Sequence, residues 1–153
     1  MSGLTQRLDL VGPWKDGYRA MSALSQSVAR SDLDDGIQEL VRVRASQLNG
    51  CAYCIDMHTK DARHRGESEQ RLYALSAWRD APFFTDAERA ALALTEAVTL
   101  LRDGVEDDLI DDARKYFDDA ALAQLVYTIV VINAWNRIGI TARLPVGGYQ
   151  PPD

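Results

Sequence analysis

The chain has 153 residues, 46% of them hydrophobic and 26% charged. That is enough for one ordinary domain with a real core and no need of disulfide or metal staples. Its 23 acidic and 17 basic residues give a net charge of −6, which repels a polyanion and leaves no Lys/Arg stripe for a phosphate backbone, so a nucleic-acid partner is not expected.

The first residues, MSGLTQRLDLVGPWKDG, lack a basic region followed by an apolar run and a small-residue cleavage site. Export is therefore not expected, and the expected location is the cytoplasm. Pro13 or Asp16 can start a first helix carrying Met21, Leu24 and Val28. In the next segment Ile37, Val41, Ala45 and Leu48 fall within a quarter-turn of one another, and Asp34 or Asp35 can cap the start. Asn49-Gly50 ends that helix, since both residues tolerate the left-handed conformation that closes one. A further helix then begins at or near Cys51 and runs to about Gly66. Ser68 opens a shorter helix through Trp78, and Pro82 breaks the chain after it. Thr85-Asp86-Ala87-Glu88 has the spacing of a capping box and leads into an Ala- and Leu-rich helix stopping near Gly104. A short helix over Glu106 to Phe117 follows.

Asp118 or Asp119 then caps a long apolar segment. Its run from Ala120 to Ile138 approaches the length that spans a bilayer, but Gln124, Thr128, Asn133 and Asn136 interrupt it, and a core helix explains it better than a membrane span. The tail from about residue 145 is too rich in Gly and Pro to be helical. Strict apolar/polar alternation is missing throughout, so the fold class is all-α, with six or seven helices in a single domain over residues 1–153.

The stretch Asn49-Gly50-Cys51-Ala52-Tyr53-Cys54-Ile55-Asp56-Met57-His58 holds both cysteines and one of the two histidines. In a reducing compartment two thiols at this spacing point to redox chemistry or metal binding rather than to a permanent staple. On a helix beginning near Cys51, the side chains of Cys51, Cys54 and His58 fall at about 0°, 300° and 340°, on one face. A reversible disulfide is feasible there. An ordinary thiol is only about 3% thiolate at pH 7, so reactivity needs a local cause. Two are visible: the positive end of the helix near Cys51, and an imidazole at i+4 able to take the proton of Cys54 and later return one. Two blander readings stand beside this: a pair of small apolar core residues, or part of a zinc set, for which two cysteines and one histidine supply at most three ligands. His64 lies about 220° from Cys51 beside Arg63 and Arg65, on a solvated face. Pattern alone puts Glu39 opposite the apolar stripe, as an exposed carboxylate paired with Arg42 at i, i+3. Asn133, Trp135, Asn136 and Arg137 either organise a pocket or subunit contact or serve the structure.

A Glu twelve residues before the first cysteine, then C-x-x-C, then a His four residues on, is the pattern Glu39, Cys51, Cys54, His58 in ELVRVRASQLNGCAYCIDMHTKDARHRG. With it the sequence resembles the alkylhydroperoxidase AhpD-like branch of the carboxymuconolactone decarboxylase superfamily. The similarity is centred on residues 34–101 and continues into INAWNRIGI. The resemblance implies an AhpD-like helical bundle that assembles as a homo-oligomer, a trimer or hexamer, and reduces organic hydroperoxides without a bound cofactor. It further implies that Cys54 attacks the peroxide and becomes a sulfenic acid, which Cys51 resolves as a disulfide. His58 is then the proton partner and Glu39 part of a relay, while an external dithiol such as a dihydrolipoyl protein resets the pair. One position departs from the pattern: Tyr53 stands between the cysteines where the best-studied peroxidases of the family have a histidine. A phenol is no base at neutral pH, which predicts weaker peroxidase activity or a different substrate. The helix-terminus argument favours Cys51 as the more acidic thiol, so Cys51 is expected to meet the reductant.

Two rival functions remain at this level. A carboxymuconolactone decarboxylase-type enzyme would leave the two thiols unexplained. A redox-sensitive binding or chaperone-like protein would oxidise stoichiometrically instead of turning over.

Overall fold

The computed structural model describes residues 5–152; residues 1–4, part of the stretch read above for an export signal, and Asp153 lie outside it. Among the described residues there are seven α-helices and no strand: α1 (Lys15–Ala29), α2 (Asp35–Asn49), α3 (Ala52–His64), α4 (Glu69–Ala74), α5 (Asp86–Leu100), α6 (Asp107–Ala113) and α7 (Asp119–Ala142), with a 3₁₀ turn at Leu75–Ala77 after α4. The all-α expectation holds.

Most helix starts are where the capping residues put them. Asp34, Ser68 and Asp118 each accept a hydrogen bond from the backbone N–H three residues on, and Thr85 and Glu88 form the reciprocal capping box. The ends differ more. α5 stops at Leu100 with Leu101 left-handed, short of Gly104, and α6 closes at Ala113. α3 begins one residue later than expected and ends at His64.

The centre of the molecule is α2, which contributes to three apolar clusters at once. Val41 packs with Leu94, Leu125 and Ile129 of α5 and α7. Leu40 and Val43 pack with Ala62, Leu72, Leu75 and Trp78. Ala45 packs with Cys51, Cys54 and Ile132. A helix covered on several sides has no solvent face opposite its apolar stripe, and so Gln38, Glu39 and Ser46 are buried along with the apolar positions. The expectation of an exposed Glu39 is therefore corrected: it is 3% exposed.

By length and composition alone α7 could cross a membrane. Nine of its residues are instead buried, and it lies against α1, α2, α3 and α5, as a core helix does. α1 is the contrasting element: Val28 is its one buried residue, and Trp14 at its start is 71% exposed.

Candidate active site

The turn into α3 is built by backbone chemistry that the sequence announces. Gly50 takes the left-handed conformation, φ 70°, as the C-cap of α2, and the Cys51 N–H donates to Ser46 O at 3.0 Å. Cys51 is thereby the N-cap of α3 rather than its first helical residue, and its Sγ accepts from the Cys54 N–H at 3.3 Å. The two cysteines are joined as a disulfide.

A polar lattice fixes this turn to α7. Asn136, fully buried, donates to Ser46 Oγ at 2.9 Å, and Asn49 donates to the side-chain oxygens of Asn133 and Asn136, each at 2.9 Å. Asn133 in turn donates to Thr99 Oγ1 of α5 at 2.9 Å. These asparagines, left open between pocket and scaffold by the sequence, clamp the end of α2 just ahead of Cys51. One turn further along α7, Gly139 lies against the disulfide: a Cβ there would sit 3.3 Å from Cys51 Sγ and 3.8 Å from Cys54 Sγ. A methyl group there would push α7 and the disulfide apart by a few tenths of an ångström, so glycine suits the close approach.

Toward the C-terminal half of α3 the surroundings become charged. His58 Nδ1 lies 3.1 Å from Glu39 Oε2, and Arg42 Nη1 donates to Glu39 Oε1 at 2.6 Å. Arg65 approaches the same oxygen at 3.7 Å. Burial would raise the Glu39 carboxyl, but the hydrogen bond and charge of His58, together with Arg42, outweigh it and hold the group below its ordinary value. Glu39 is therefore ionised at neutral pH. An ionised carboxylate can only accept, so His58 Nδ1 carries a hydrogen and Nε2 is left as the basic nitrogen of the ring.

Asp61 Oδ2 stands 4.0 Å from the same Nδ1, and Tyr149 Oη donates to Asp61 Oδ1 at 2.7 Å. Burial and the Asp61 carboxylate both push the Tyr149 phenol up. The irregular tail is strapped along α3 at two further points: Gly147 N–H donates to Asp56 Oδ2 at 3.2 Å, and Lys60 Nζ reaches Asp56 Oδ2 at 2.9 Å and Tyr149 O at 3.0 Å.

Glu39, His58 and Asp61 offer three ligand atoms within 4.8 Å of one another. Two guanidinium groups already face Glu39, so a divalent cation there would meet like charge; the set suits proton transfer better than metal binding.

The two cysteines expose little surface, 1% of Cys51 and 2% of Cys54. Access runs through a cavity of about 490 Å³ whose wall includes Cys51, Tyr53, Gly139, Ile140, Arg143 and Leu144. Cys54 is not part of that wall. A second cavity, of about 520 Å³ and bounded by Glu39, Arg65 and Glu67, lies on the charged side. His64 is exposed, as expected. The sequence reading brought Glu39, Cys51, Cys54 and His58 forward; it missed Asp61, Gly139, Arg143 and Tyr149. Of these, Gly139 leaves a local signal, an isolated glycine in an apolar helix.

A model of the carboxymuconolactone decarboxylase family matches residues 15–97. The chain belongs to that family. It is 41% identical over 138 residues to the uncharacterised protein YdfG of Bacillus subtilis (strain 168), covering 90% of this chain and 94% of YdfG. Among solved structures it is similar to a protein of unknown function from Agrobacterium tumefaciens whose description relates it to the antioxidant defence protein AhpD. That match has 35% identity and a TM-score of 0.88, over 97% of this chain and 100% of the other. The fold is also that of the debrominase Bmp8, with a TM-score of 0.80 at 19% identity, over 90% of this chain and 74% of Bmp8 in its complex with 2,3,4-tribromopyrrole. Enzymes thus occur on this scaffold, and the AhpD-like branch expected from the cysteine motif is the one to which this family member is similar.

Proposed function

We propose that the protein is a dithiol-dependent peroxidase that reduces organic hydroperoxides through Cys51 and Cys54. The observation that carries this reading is the Glu39–His58 pair, in which Glu39 of α2 meets His58 on α3, the helix that carries Cys54 and starts at Cys51. With Nδ1 tied to Glu39, Nε2 is the ring position free to take a proton, and the i, i+4 spacing puts His58 on the Cys54 face of α3.

In the proposed cycle the Cys54 thiol gives its proton to His58 and the thiolate attacks the outer oxygen of the hydroperoxide. The O–O bond breaks, an alcohol leaves with a proton, and Cys54 becomes a sulfenic acid. The Cys51 thiol then attacks that sulfur, water departs, and the disulfide forms. An external dithiol, of the lipoyl type, returns two electrons and two protons. The cycle uses no bound cofactor. Glu39 acts as a positioning residue: it fixes the tautomer of His58 and stabilises the imidazolium. The relay does not need Tyr53.

The reading places the protein in a reducing compartment, the cytoplasm, and makes it a homo-oligomer, a trimer or hexamer. Support for assembly comes from the exposed apolar side chains of Leu8, Leu10, Val11, Trp14 and Tyr18 at the thinly packed N-terminal arm and α1. Sedimentation velocity reads the subunit number directly.

The deciding experiment is steady-state consumption of cumene hydroperoxide with a panel of dithiols, run beside a Cys51/Cys54 double serine variant. Many turnovers by the native protein and none by the variant are expected. Equal rates would remove the reading, and a single stoichiometric oxidation would favour a redox-sensitive binding protein.

A further inference from the structure

The cavity at the start of α3 has mostly apolar walls, in which Arg143 is the one charged residue and the Tyr53 phenol a second polar group. Tyr53, Ile140, Leu144, Pro145 and Val146 give it a hydrocarbon surface, and Arg143 adds a cation. Arg143 is half-buried, and its guanidinium makes no ion pair or hydrogen bond with any other described residue. The nearby arginine of the N-terminal arm is fully committed by contrast: Arg7 Nε donates to Thr141 O at 2.9 Å, Nη2 to Ile140 O at 3.2 Å, and its backbone N–H to Ala142 O at 3.0 Å. Those bonds quench the negative end of α7, so the carbonyl dipoles there do not offset the Arg143 charge. Arg143 also holds a left-handed conformation, φ 56°, as the C-cap of α7. Glycine or asparagine suits that geometry at lower cost than arginine does.

Only one of the two sulfurs, that of Cys51, belongs to this cavity. A ligand seated in it reaches Cys51, the sulfur assigned to the reductant, and not Cys54. We infer that this cavity is the reductant site and that Arg143 selects a dithiol whose apolar chain ends in a carboxylate. The inference rests on the dithiol reading of the disulfide and narrows its electron donor to a free dithiol acid, in place of the amide-linked lipoyl group of a dihydrolipoyl protein.

The step is a thiol–disulfide exchange. One donor thiolate attacks Cys51 Sγ, the Cys51–Cys54 bond breaks, and Cys54 leaves as a thiolate that takes up a proton. The second donor thiol, deprotonated, attacks the donor sulfur of the mixed disulfide. It closes the donor's own S–S bond and expels Cys51, which is protonated in turn. The donor loses two electrons and two protons, and the protein gains both. The carboxylate stays on Arg143 while the apolar chain lies along Ile140 and Leu144.

Dihydrolipoate and dihydrolipoamide test this directly, because they share the dithiol and the chain and differ in carboxylate against neutral amide. The oxidised full-length protein is mixed with each donor in the absence of peroxide, and disulfide opening is followed by alkylation and mass analysis. A charge-assisted bond to the guanidinium predicts a preference for dihydrolipoate of about tenfold in second-order rate. Arg143→Gln should bring that ratio to about one. Arg143→Gly should do the same while relieving the backbone, so a folding defect cannot account for the loss. A wild-type ratio near one, or a ratio unchanged in both variants, overturns the carboxylate inference and leaves the peroxidase reading standing. Failure of both donors to open the bond overturns the two together.

Discussion

Two carboxylates in this protein, Glu39 buried and Glu96 half-buried, look alike and do different work. Glu96 of α5 accepts from the Trp78 indole at 2.8 Å, from Arg44 at 2.9 Å and from Arg79. Glu39 of α2 accepts from Arg42 and faces His58. In both, burial acts to raise the carboxyl and the donors more than reverse it. The difference lies in the partners. Every donor to Glu96 is permanent, so its charge can only bolt α2, α5 and the Trp78 turn together. One partner of Glu39 is an imidazole, which has two neutral tautomers, so the carboxylate holds that ring in one of them, four residues along α3 from Cys54. A buried carboxylate becomes part of a reactive site through the titratable group it holds.

Several experiments break or sharpen that contrast. The largest effect is expected at the sulfur that the Glu39 side is proposed to serve. Cys54→Ser should lower peroxide consumption about a thousandfold or more, and Cys51→Ser should accumulate a trappable sulfenic acid on Cys54. A sulfenic acid found instead in the Cys54 variant would reverse the roles of the two thiols. His58→Asn should cost about a hundredfold or more in kcat/KM, and Glu39→Gln about ten- to a hundredfold with an altered pH–rate profile. A Glu39→Gln protein that loses stability but keeps its rate and profile would make Glu39 a second bolt.

Glu96→Gln should show the opposite pattern: about 2 kcal/mol lost in urea unfolding, with the rate per folded molecule retained. Acid sharpens the comparison further. Both carboxyls lie below the ordinary value of 4.5 in the folded protein, so the unfolded chain takes up protons at higher pH than the folded one. Their stabilisation is complete above about pH 4.5 and is lost as pH falls through the lower folded values. Urea midpoints measured from about pH 6 to about pH 3 should fall, and each Gln variant should fall less steeply. The smallest effect is expected from Tyr149→Phe, which removes the bond to Asp61: about 1 kcal/mol or less of stability, with faster amide exchange in the tail. Unchanged exchange would mean that the Lys60 and Asp56 contacts alone hold it.

Local chemistry is what the sequence displayed best. The caps at Asp34, Ser68, Thr85 and Asp118 are contacts between neighbours in the chain, and they set the helix starts. The Asn49-Gly50 turn and the one-face placement of Cys54 and His58 are equally local. Glu39 shows where that kind of reading stops. Its stripe pattern put it in solvent, and its pairing with Arg42 was right, but its burial depends on α2 being covered on several sides. A helical wheel assumes one apolar face and one wet one, and α2 has neighbours on both.

The sequence by itself determined an all-helical chain with two thiols and an imidazole within one turn-and-helix unit, because helix periodicity and capping act over four or five residues. Only the tertiary structure decided that Glu39 would meet His58 across nineteen residues, that Gly139 would bring α7 against the sulfurs, and that Arg143 and the tail would wall a cavity opening on Cys51. Those juxtapositions depend on how helices cross, and crossing is set by the packing of whole faces rather than by any residue's neighbours in the chain.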